Sequence, residues 1–585
     1  MQSKKRSILN YEFSPTFNSD TRSWIAAAVF VVLFTAFEAL YSNDGMVSAG
    51  ASLAGSDDPL FQAVYVFYIV SALYLFFGFV LTAITGKLPV RIAVITVFSL
   101  GCLIEYSYLH AVGRFTTHAD VIAAISATSE QRNYSLFAFM SPIGLVPALT
   151  LLAVSLFFRP AQERLSGLKP AIFLSIACVA FFLHMIFVDR NLFDRQFRVN
   201  SFISFGATIA DLSLYRPLQA IDPIKRSAVK PIPNTAPPDN NLILVFDESI
   251  RGDHLSLNGY SRKTTPYLEE LERTGRLANW GIAVSSSTSS HPSYNAFITG
   301  ANPDEVARMK TDEINSLPTI FQYAKAAGYR TWLIDGQMME YWGGVPDDLN
   351  YIDEYVSLAE IDSPNRVEDW QRQGAAVTDE NSRTDGMKQW DIDVKIAKIV
   401  RDIYSSAKGN FIFVYKRGVH FPYEKNYPDE QAAWQPIYRF RGQYEVPGDD
   451  SFQGIVNSYD NALRYGTDMF FRQLGGDFAK LENGTVVLYT SDHGESFYLN
   501  GRAGHGGDSP GEANIPLFVL GIDDLKAGPN CKASHHNMFA AMLDVMKYPV
   551  EVRQRNYSSS FLNCGPEMNS ARSFSTPTGK KIAFE

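Results

Sequence analysis

Positive charge is in short supply in this chain. It carries 52 Lys and Arg against 61 Asp and Glu in 585 residues, a net charge of -9. Nucleic-acid binding calls for a basic face, and this balance gives it no support. Cysteine is scarcer still, with four residues. Cys102 and Cys178 fall inside apolar stretches and read as inert, small core residues. Cys531 and Cys564 lie in the polar half of the chain. Export would allow them a disulfide, and a reducing compartment would leave a buried thiol pair. The chain has no internal repeat and no low-complexity tract. Nothing near the N-terminus reads as a cleavable signal peptide, so the first apolar stretch is expected to stay as an anchor.

Apolar sequence is abundant before residue 190. Residues 24–41, 60–85, 92–112, 138–158 and 171–188 each approach the length of a bilayer-spanning helix. The basic residues orient them. Lys4, Lys5, Arg6 and Arg22 precede the first stretch, Lys87 and Arg91 follow the second, and Arg159, Arg164 and Lys169 follow the fourth. The other loops carry Asp44, Asp57 and Asp58 on one side and Arg114 and Arg132 on the other. Positive-inside bias then puts the N-terminus in the cytoplasm and everything after the fifth stretch outside. Glu38, Glu105 and His110 lie near the outer ends of the first and third stretches. They either meet a lipid headgroup or snorkel to the interface.

Residues 197–215 mix apolar and polar side chains, as an amphipathic helix on the outer membrane face would. Pro231-Ile232-Pro233 and Pro237-Pro238 then read as a semi-rigid linker. The expected organisation is a five-span helical bundle over 1–190, a helix and linker over 191–240, and a second domain over 241–585. That domain alternates apolar runs with helical patterns. Residues 242–246, 331–334, 411–415, 486–489 and 517–520 are strand candidates, and 317–327 and 452–474 are helix candidates. This is the pattern of a mostly parallel sheet sandwiched by helices.

Ligands gather at the carboxyl ends of strands in such folds. Asp247-Glu248, Asp492-His493 and His420 each follow a strand candidate. Glu248, Asp492 and His493 supply oxygen and nitrogen donors suited to Zn²⁺, with Ser290 as the fourth ligand. A serine hydroxyl is a poor nucleophile until a metal makes it easier to deprotonate. Ser293, one turn further on, stands at a helix start where backbone N–H groups favour an anion. His420 and His505 would hold the transferred group, act as acid or base, or bind a second metal. Ser287, Thr288 and Ser289 are rival nucleophiles in the hydroxyl-rich run from Ser285 to Ser290. Arg251-Gly252-Asp253-His254 and Asn258-Gly259-Tyr260 read as capping and turn residues.

These residues resemble the sulfatase and alkaline-phosphatase-like superfamily, and within it the membrane-bound phosphoethanolamine transferases of Gram-negative bacteria. The likeness rests on Asn241 to Tyr260 followed by Thr265-Pro266, on Ser491-Asp492-His493-Gly494-Glu495-Ser496, and on His420-Phe421-Pro422-Tyr423 with His505. It implies an alkaline-phosphatase-like catalytic domain in the periplasm, anchored in the inner membrane. Glu248, Asp492 and His493 would bind zinc, one ion or two. Ser290 would stand where the family has a threonine nucleophile, and His420 and His505 on the substrate side. The implied donor is phosphatidylethanolamine, and the implied acceptor is lipopolysaccharide (lipid A or core sugar) or a periplasmic glycan. A phosphoglycerol transferase using phosphatidylglycerol shares this logic. A membrane-anchored sulfatase is a further alternative, because Ser290-His291-Pro292-Ser293 fits the run in which a cysteine or serine becomes formylglycine. Tyr294 stands where sulfatases have arginine. A catalytically dead membrane scaffold would be expected to have lost a ligand from this set.

Overall fold

A computed structural model describes residues 21–41, 59–112, 115–116, 141–157, 200–210, 224–232, 237–309, 311–337, 346–362, 388–440, 451–475 and 481–497. It also describes 504–584 with short interruptions, and a few isolated positions. The described residues fall into a helical unit before residue 217 and an α/β unit after it.

The helical unit contains α1 (Thr21–Tyr41), α2 (Pro59–Thr85), α3 (Leu88–Val112), α4 (Leu145–Phe157) and α5 (Ser201–Ala210). The first three are long and apolar enough to cross a membrane. The fourth expected span appears as a shorter apolar helix, Pro142–Phe157. The fifth, 171–188, lies outside the described residues. Val32, Leu33 and Leu40 are more than half exposed, as lipid-facing side chains would be. Inside, Phe34, Phe76 and Phe98 pack ring against ring. Helix α5 buries Ser201, Ser204, Ala207 and Thr208, so its small hydroxyl-bearing face turns inward. Glycine at 101 allows its approach to α3: a Cβ there would stand 3.1 Å from the Phe205 ring.

Glu38 and Glu105 do not snorkel. Both are buried, Glu38 accepting from the Tyr106 hydroxyl at 3.1 Å and the Ser201 amide at 3.0 Å. Glu105 accepts from the amide and hydroxyl of Thr116 at 2.8 and 2.6 Å. A carboxylate in an apolar bundle is costly unless hydrogen-bonded, and these partners supply the bonds.

The α/β unit is built on β1 (Leu242–Asp247), α6 (Pro266–Arg273), β2 (Leu277–Val284), α7 (Ser290–Thr299), α8 (Ile320–Ala326), β3 (Arg330–Asp335) and β4 (Glu354–Val356). It continues with α9 (Gln389–Ser406), β5 (Asn410–Tyr415), α10 (Phe452–Leu463), β6 (Val486–Ser491), β7 (Asn514–Leu520) and α11 (His535–Val545). The sheet order is β2-β7-β6-β1-β5-β3-β4. Strands β6, β1, β5, β3 and β4 run parallel, and β7 is antiparallel to both of its neighbours.

Alternation within the central strands divides two cores. Ile243, Val245, Ile412 and Val414 face the layer holding α9 and α10. Leu244, Phe246, Phe411 and Phe413 face the layer holding α7, α8 and α11. A strand buried on both faces must be apolar throughout, which is why these runs are legible as strands. Strand β2 was missing from the expectation because Gly281 at φ +72° and a register shift after Asn279 break its pattern. The 452–474 helix is continuous in outline but passes through a π turn at Arg464–Asp468. Ahead of the sheet, Arg226 pairs with Asp348 at 2.7 Å and the Tyr548 hydroxyl donates to the Lys230 carbonyl. Cys531 and Cys564 are bonded, with Cα atoms 5.9 Å apart.

One ion pair anchors the centre of the sheet. Lys416 Nζ lies 2.5 Å from Asp247 Oδ2 and 3.5 Å from Asp393 Oδ2, with the lysine wholly buried. Asp247 Oδ2 also accepts from the Tyr489 hydroxyl at 2.8 Å. Breaking a buried pair on one side leaves an uncompensated charge. Lys416→Met is expected to destabilise the α/β unit by roughly 3–5 kcal/mol in urea unfolding, and adding Asp247→Asn should restore most of it. Additive losses would show that the pair is not coupled.

Candidate metal centre

Adjacent parallel strands β1 and β6 deliver the first three site residues to one sheet edge. Register pairs Asp247 with Ser491, so the next residues, Glu248 and Asp492, leave the sheet side by side. Ser249 turns the chain there with φ +62°, a conformation uncommon outside glycine and typical of strained functional turns. Its amide donates to Asp492 Oδ1 at 2.9 Å and its hydroxyl to Glu248 Oε1 at 2.7 Å. The Tyr459 hydroxyl holds the Ser249 carbonyl at 2.8 Å.

His493 completes the trio. Its Nδ1 lies 2.8 Å from the Gly494 carbonyl, which can only accept, so the ring proton sits on Nδ1 and Nε2 presents a lone pair. That Nε2 is 3.6 Å from Glu248 Oε1 and 3.3 Å from Asp492 Oδ2. Helix α7 brings the fourth group: Ser290, its first residue, has Oγ 3.1 Å from the same nitrogen.

These atoms fit a small divalent cation. Ligands at ~2.0–2.1 Å around a tetrahedral ion stand about 3.4 Å from one another, close to the spacings here. Asp492 Oδ2 is buried with no hydrogen-bond partner. Burial, and then the Asp492 charge, push the Glu248 carboxyl well above its usual range. Two facing carboxylates, an imidazole lone pair and an orphaned oxygen are donors lacking an acceptor. Burial likewise lowers the affinity of His493 for a proton, keeping it a neutral donor.

A second group borders the first. His505 Nδ1 lies 3.0 Å from Glu495 Oε1, and its ring centroid is 4.1 Å from that of His493. Glu495 Oε2 accepts from the Tyr423 hydroxyl at 2.9 Å. The His420 ring is 6.5 Å from His505, and its Nδ1 is held by the Phe421 carbonyl at 2.7 Å. His493, Glu495 and His505 form a second set with ligand atoms close enough to share a cation. Burial and then Arg417 hold His420 well below the usual histidine range. Burial works most strongly against a proton on His505, but the Glu495, Asp492 and Glu512 carboxylates together raise its pKa.

The structure therefore assembles all the expected site residues: Glu248, Ser290, Asp492 and His493 in one cluster, His420 and His505 beside it. Among the rivals, Thr288 Oγ1 is spent on the Gly507 carbonyl at 2.8 Å, and Ser287 is wholly buried with no hydrogen-bond partner for its hydroxyl. Ser289 precedes the helix as its cap residue. Ser293 is not open to an anion, because its amide donates to Ser289 and its hydroxyl to the Asp492 carbonyl at 2.5 Å. Tyr294 turns into the core and stacks on Tyr415 at 5.8 Å. Arg251 pairs with Asp253, and His254 and Tyr260 both bond to Asp460, so these residues tie down the turn after Glu248 as expected.

Three contributors were not singled out from sequence. Glu495 sits within the Asp492-His493 motif, where proximity was the available signal. Gln337 lies just past the end of β3, and its side-chain amide donates to Glu248 Oε2 at 3.3 Å. His535, at the start of α11, accepts from the Ser286 amide at 3.1 Å and donates to the Ser491 carbonyl at 2.8 Å. It thereby ties the serine-rich loop to the strand that carries Asp492, and no local signal announces it.

Comparison with known proteins gives the same outline. The family model described as Sulfatase matches residues 240–548. The Kdo(2)-lipid A phosphoethanolamine 7''-transferase of Salmonella typhimurium is 23% identical over 337 residues, 56% of this chain and 51% of that protein. The phosphatidylethanolamine transferase Mcr-1 of Escherichia coli is 27% identical over 270 residues, 45% of this chain and 44% of that protein. The chain thus spans about half the length of these curated relatives. In fold, it is similar to the integral membrane lipooligosaccharide phosphoethanolamine transferase A of Neisseria meningitidis. That match has TM-score 0.54 and 16% identity and covers 92% of this chain and 98% of that one.

Burial pushes the His535 pKa down to about 3, so the folded state holds it neutral. An unfolded histidine protonates near pH 6.5. The contribution of His535 is therefore fully present above about pH 6.5 and is lost as pH falls toward the folded value. His535→Gln is expected to cost roughly 1–3 kcal/mol at pH 7.5. The loss should shrink by about 2 kcal/mol at pH 5, where the wild type has already given up that much. Urea unfolding at both pH values checks this, and an equal loss at each would contradict it.

Proposed function

This chain belongs to the sulfatase family, and we propose that it is an enzyme that moves phosphoethanolamine from phosphatidylethanolamine to an acceptor in the cell envelope. The observation that carries the reading is the 3.1 Å approach of Ser290 Oγ to His493 Nε2, beside two carboxylates that face each other. Relatives named for phosphoethanolamine transfer, two of them to lipid A, support the choice of group. A lipopolysaccharide acceptor follows by analogy, with a periplasmic glycan as the other. The apolar helices support a membrane anchor, and the site is read as lying on the outer face of the bacterial inner membrane.

Zinc suits the donor set, with Glu248, Asp492, His493 and Ser290 as its ligands. When bound, it supplies Lewis acidity that eases deprotonation of a hydroxyl and offsets charge on phosphoryl oxygens. The protein's own residues do the rest. Helix α7 aims Ser290, and Ser293 fixes the helix to the Asp492 carbonyl. The Ser290 hydroxyl releases its proton to water, its oxygen attacks phosphorus, and the bond from phosphorus to the diacylglycerol oxygen breaks. His505, oriented by its Nδ1 contact to Glu495, hands a proton to that leaving oxygen. His420 presents Nε2 to the phosphoryl group. An acceptor hydroxyl, giving its proton to the now neutral His505, or an acceptor phosphate then attacks the phosphoserine phosphorus, and the Ser290 oxygen leaves and recovers a proton from water.

Mass spectrometry of the Ser290 peptide after incubation with phosphatidylethanolamine vesicles tests the proposal. A phosphoethanolamine ester on Ser290 is expected, and Ser290→Ala should carry none while keeping its thermal midpoint. Phosphoglycerol on Ser290 in mixed vesicles would transfer the reading to phosphatidylglycerol. Formylglycine at 290 would make the protein a sulfatase, and an adduct on Thr288 or Ser289 would displace Ser290.

A further inference from the structure

The charge balance of the site leaves one role unfilled. Glu248 and Asp492 together cancel a divalent ion, and His493 is neutral. A deprotonated serine and a phosphodiester would then bring negative charge with nothing opposite it. Lys416, which follows β5 directly, is wholly buried and bound to Asp247 and Asp393. Arg417 is different. It leaves the end of β5 three residues before His420, and its guanidinium charge acts on both Glu248 and His420, on either flank of the cluster.

Arg417 is also held in place. Its Nη1 donates to Gln337 Oε1 at 3.2 Å. The amide nitrogen of the same Gln337 donates to Glu248 Oε2 at 3.3 Å, to the Lys416 carbonyl at 2.9 Å and to the Arg417 carbonyl at 3.2 Å. The Gln337 backbone amide is fixed by Asp335 at 2.8 Å, and the residue is 5% exposed. One buried amide therefore joins the guanidinium to the metal-ligand carboxylate. Nε and Nη2 of Arg417 have no partner among the described residues, and the side chain is half-buried. Its backbone N–H is already taken by Asp393 at 2.9 Å.

Resting on the phosphoryl-transfer reading above, we propose that Arg417 is a catalytic residue that binds a non-bridging phosphoryl oxygen, oriented by Gln337 as its positioning residue. A planar fork of N–H donors matches a phosphoryl group and is always charged. A donor fixed before reaction gains most where charge develops in the transition state. Because the contact is to the phosphoryl oxygens, it serves any phosphodiester and does not choose the alcohol attached to it.

The full chain in detergent, loaded with zinc, provides the test, with Arg417→Gln and Arg417→Lys as variants. The first readout is inorganic phosphate affinity, measured calorimetrically in a Ser290→Ala background. The second is turnover of bis(p-nitrophenyl) phosphate and of phosphatidylethanolamine. Arg417→Gln is expected to weaken phosphate binding at least tenfold and to lower kcat about 10²-fold on both substrates, at unchanged zinc content. Arg417→Lys should recover part of the phosphate affinity and less of kcat, since a point charge replaces the fork. Phosphate affinity and kcat within threefold of wild type in the Gln variant would overturn the proposal. If Arg417→Gln fails to fold, Arg417→Lys decides: full activity in it would also overturn the fork contact. A wild type that binds phosphate and cleaves the artificial diester but ignores phosphatidylethanolamine refutes the donor and leaves Arg417 standing. A wild type that does neither refutes both.

Discussion

Two carboxylates, Glu248 and Asp492, are buried face to face, joined by an imidazole lone pair and the Ser290 hydroxyl and held by neutral donors from Ser249, Gln337 and the His493 amide. No lysine or arginine of the described structure bonds to the orphaned Asp492 oxygen. A protein core does not tolerate such a pair without a cation or a proton between them. The rest of the α/β unit is arranged around that demand. Parallel strands β1 and β6 put the two acids side by side, and the strained turn at Ser249 holds both with one residue. Helix α7 is pinned to the same strand end through Ser293 and His535. Ser290 is thus positioned by the same groups that position Glu248 and Asp492.

Behind this front, charge is handled differently. Asp247 lies one residue before Glu248, yet it faces Lys416 and Tyr489 inside the sheet rather than the cluster. Adjacent acids on one strand point to opposite sides, so one braces the fold and the other serves the site. The same strand-end geometry sets Lys416 and Arg417 apart: the lysine is consumed within the core, and the arginine keeps two guanidinium nitrogens that bond to no described residue. On the proposed reading, a site rich in acids would hold both a cation-binding half and an anion-binding half.

Much of this was legible in the residue order. Central strands buried on both faces must be apolar, so Leu242 to Phe246 and Val486 to Tyr489 announce themselves, and chemistry collects where they end. That logic found Glu248, Asp492, His493 and His420. It did not reach Gln337 or Arg417, though both also follow strands, because an amide and a guanidinium carry no distinctive spacing. His535 was hidden for another reason. Its bonds to backbone groups reach 249 and 44 residues away, and only the folded topology brings these together. In the helical unit, apolar length identified three membrane-length helices. It could not foresee that Glu38 and Glu105 turn inward, since their partners Ser201 and Thr116 come from separate segments.

Anomalous diffraction at the zinc edge, from crystals of the full chain grown with zinc, tests the central claim most directly. The account predicts a peak within bonding distance of Glu248 Oε1, Asp492 Oδ2 and His493 Nε2, with Ser290 Oγ completing the shell. Zinc bound elsewhere with no peak among these atoms, or a Ser290 hydroxyl turned away from them, would contradict it.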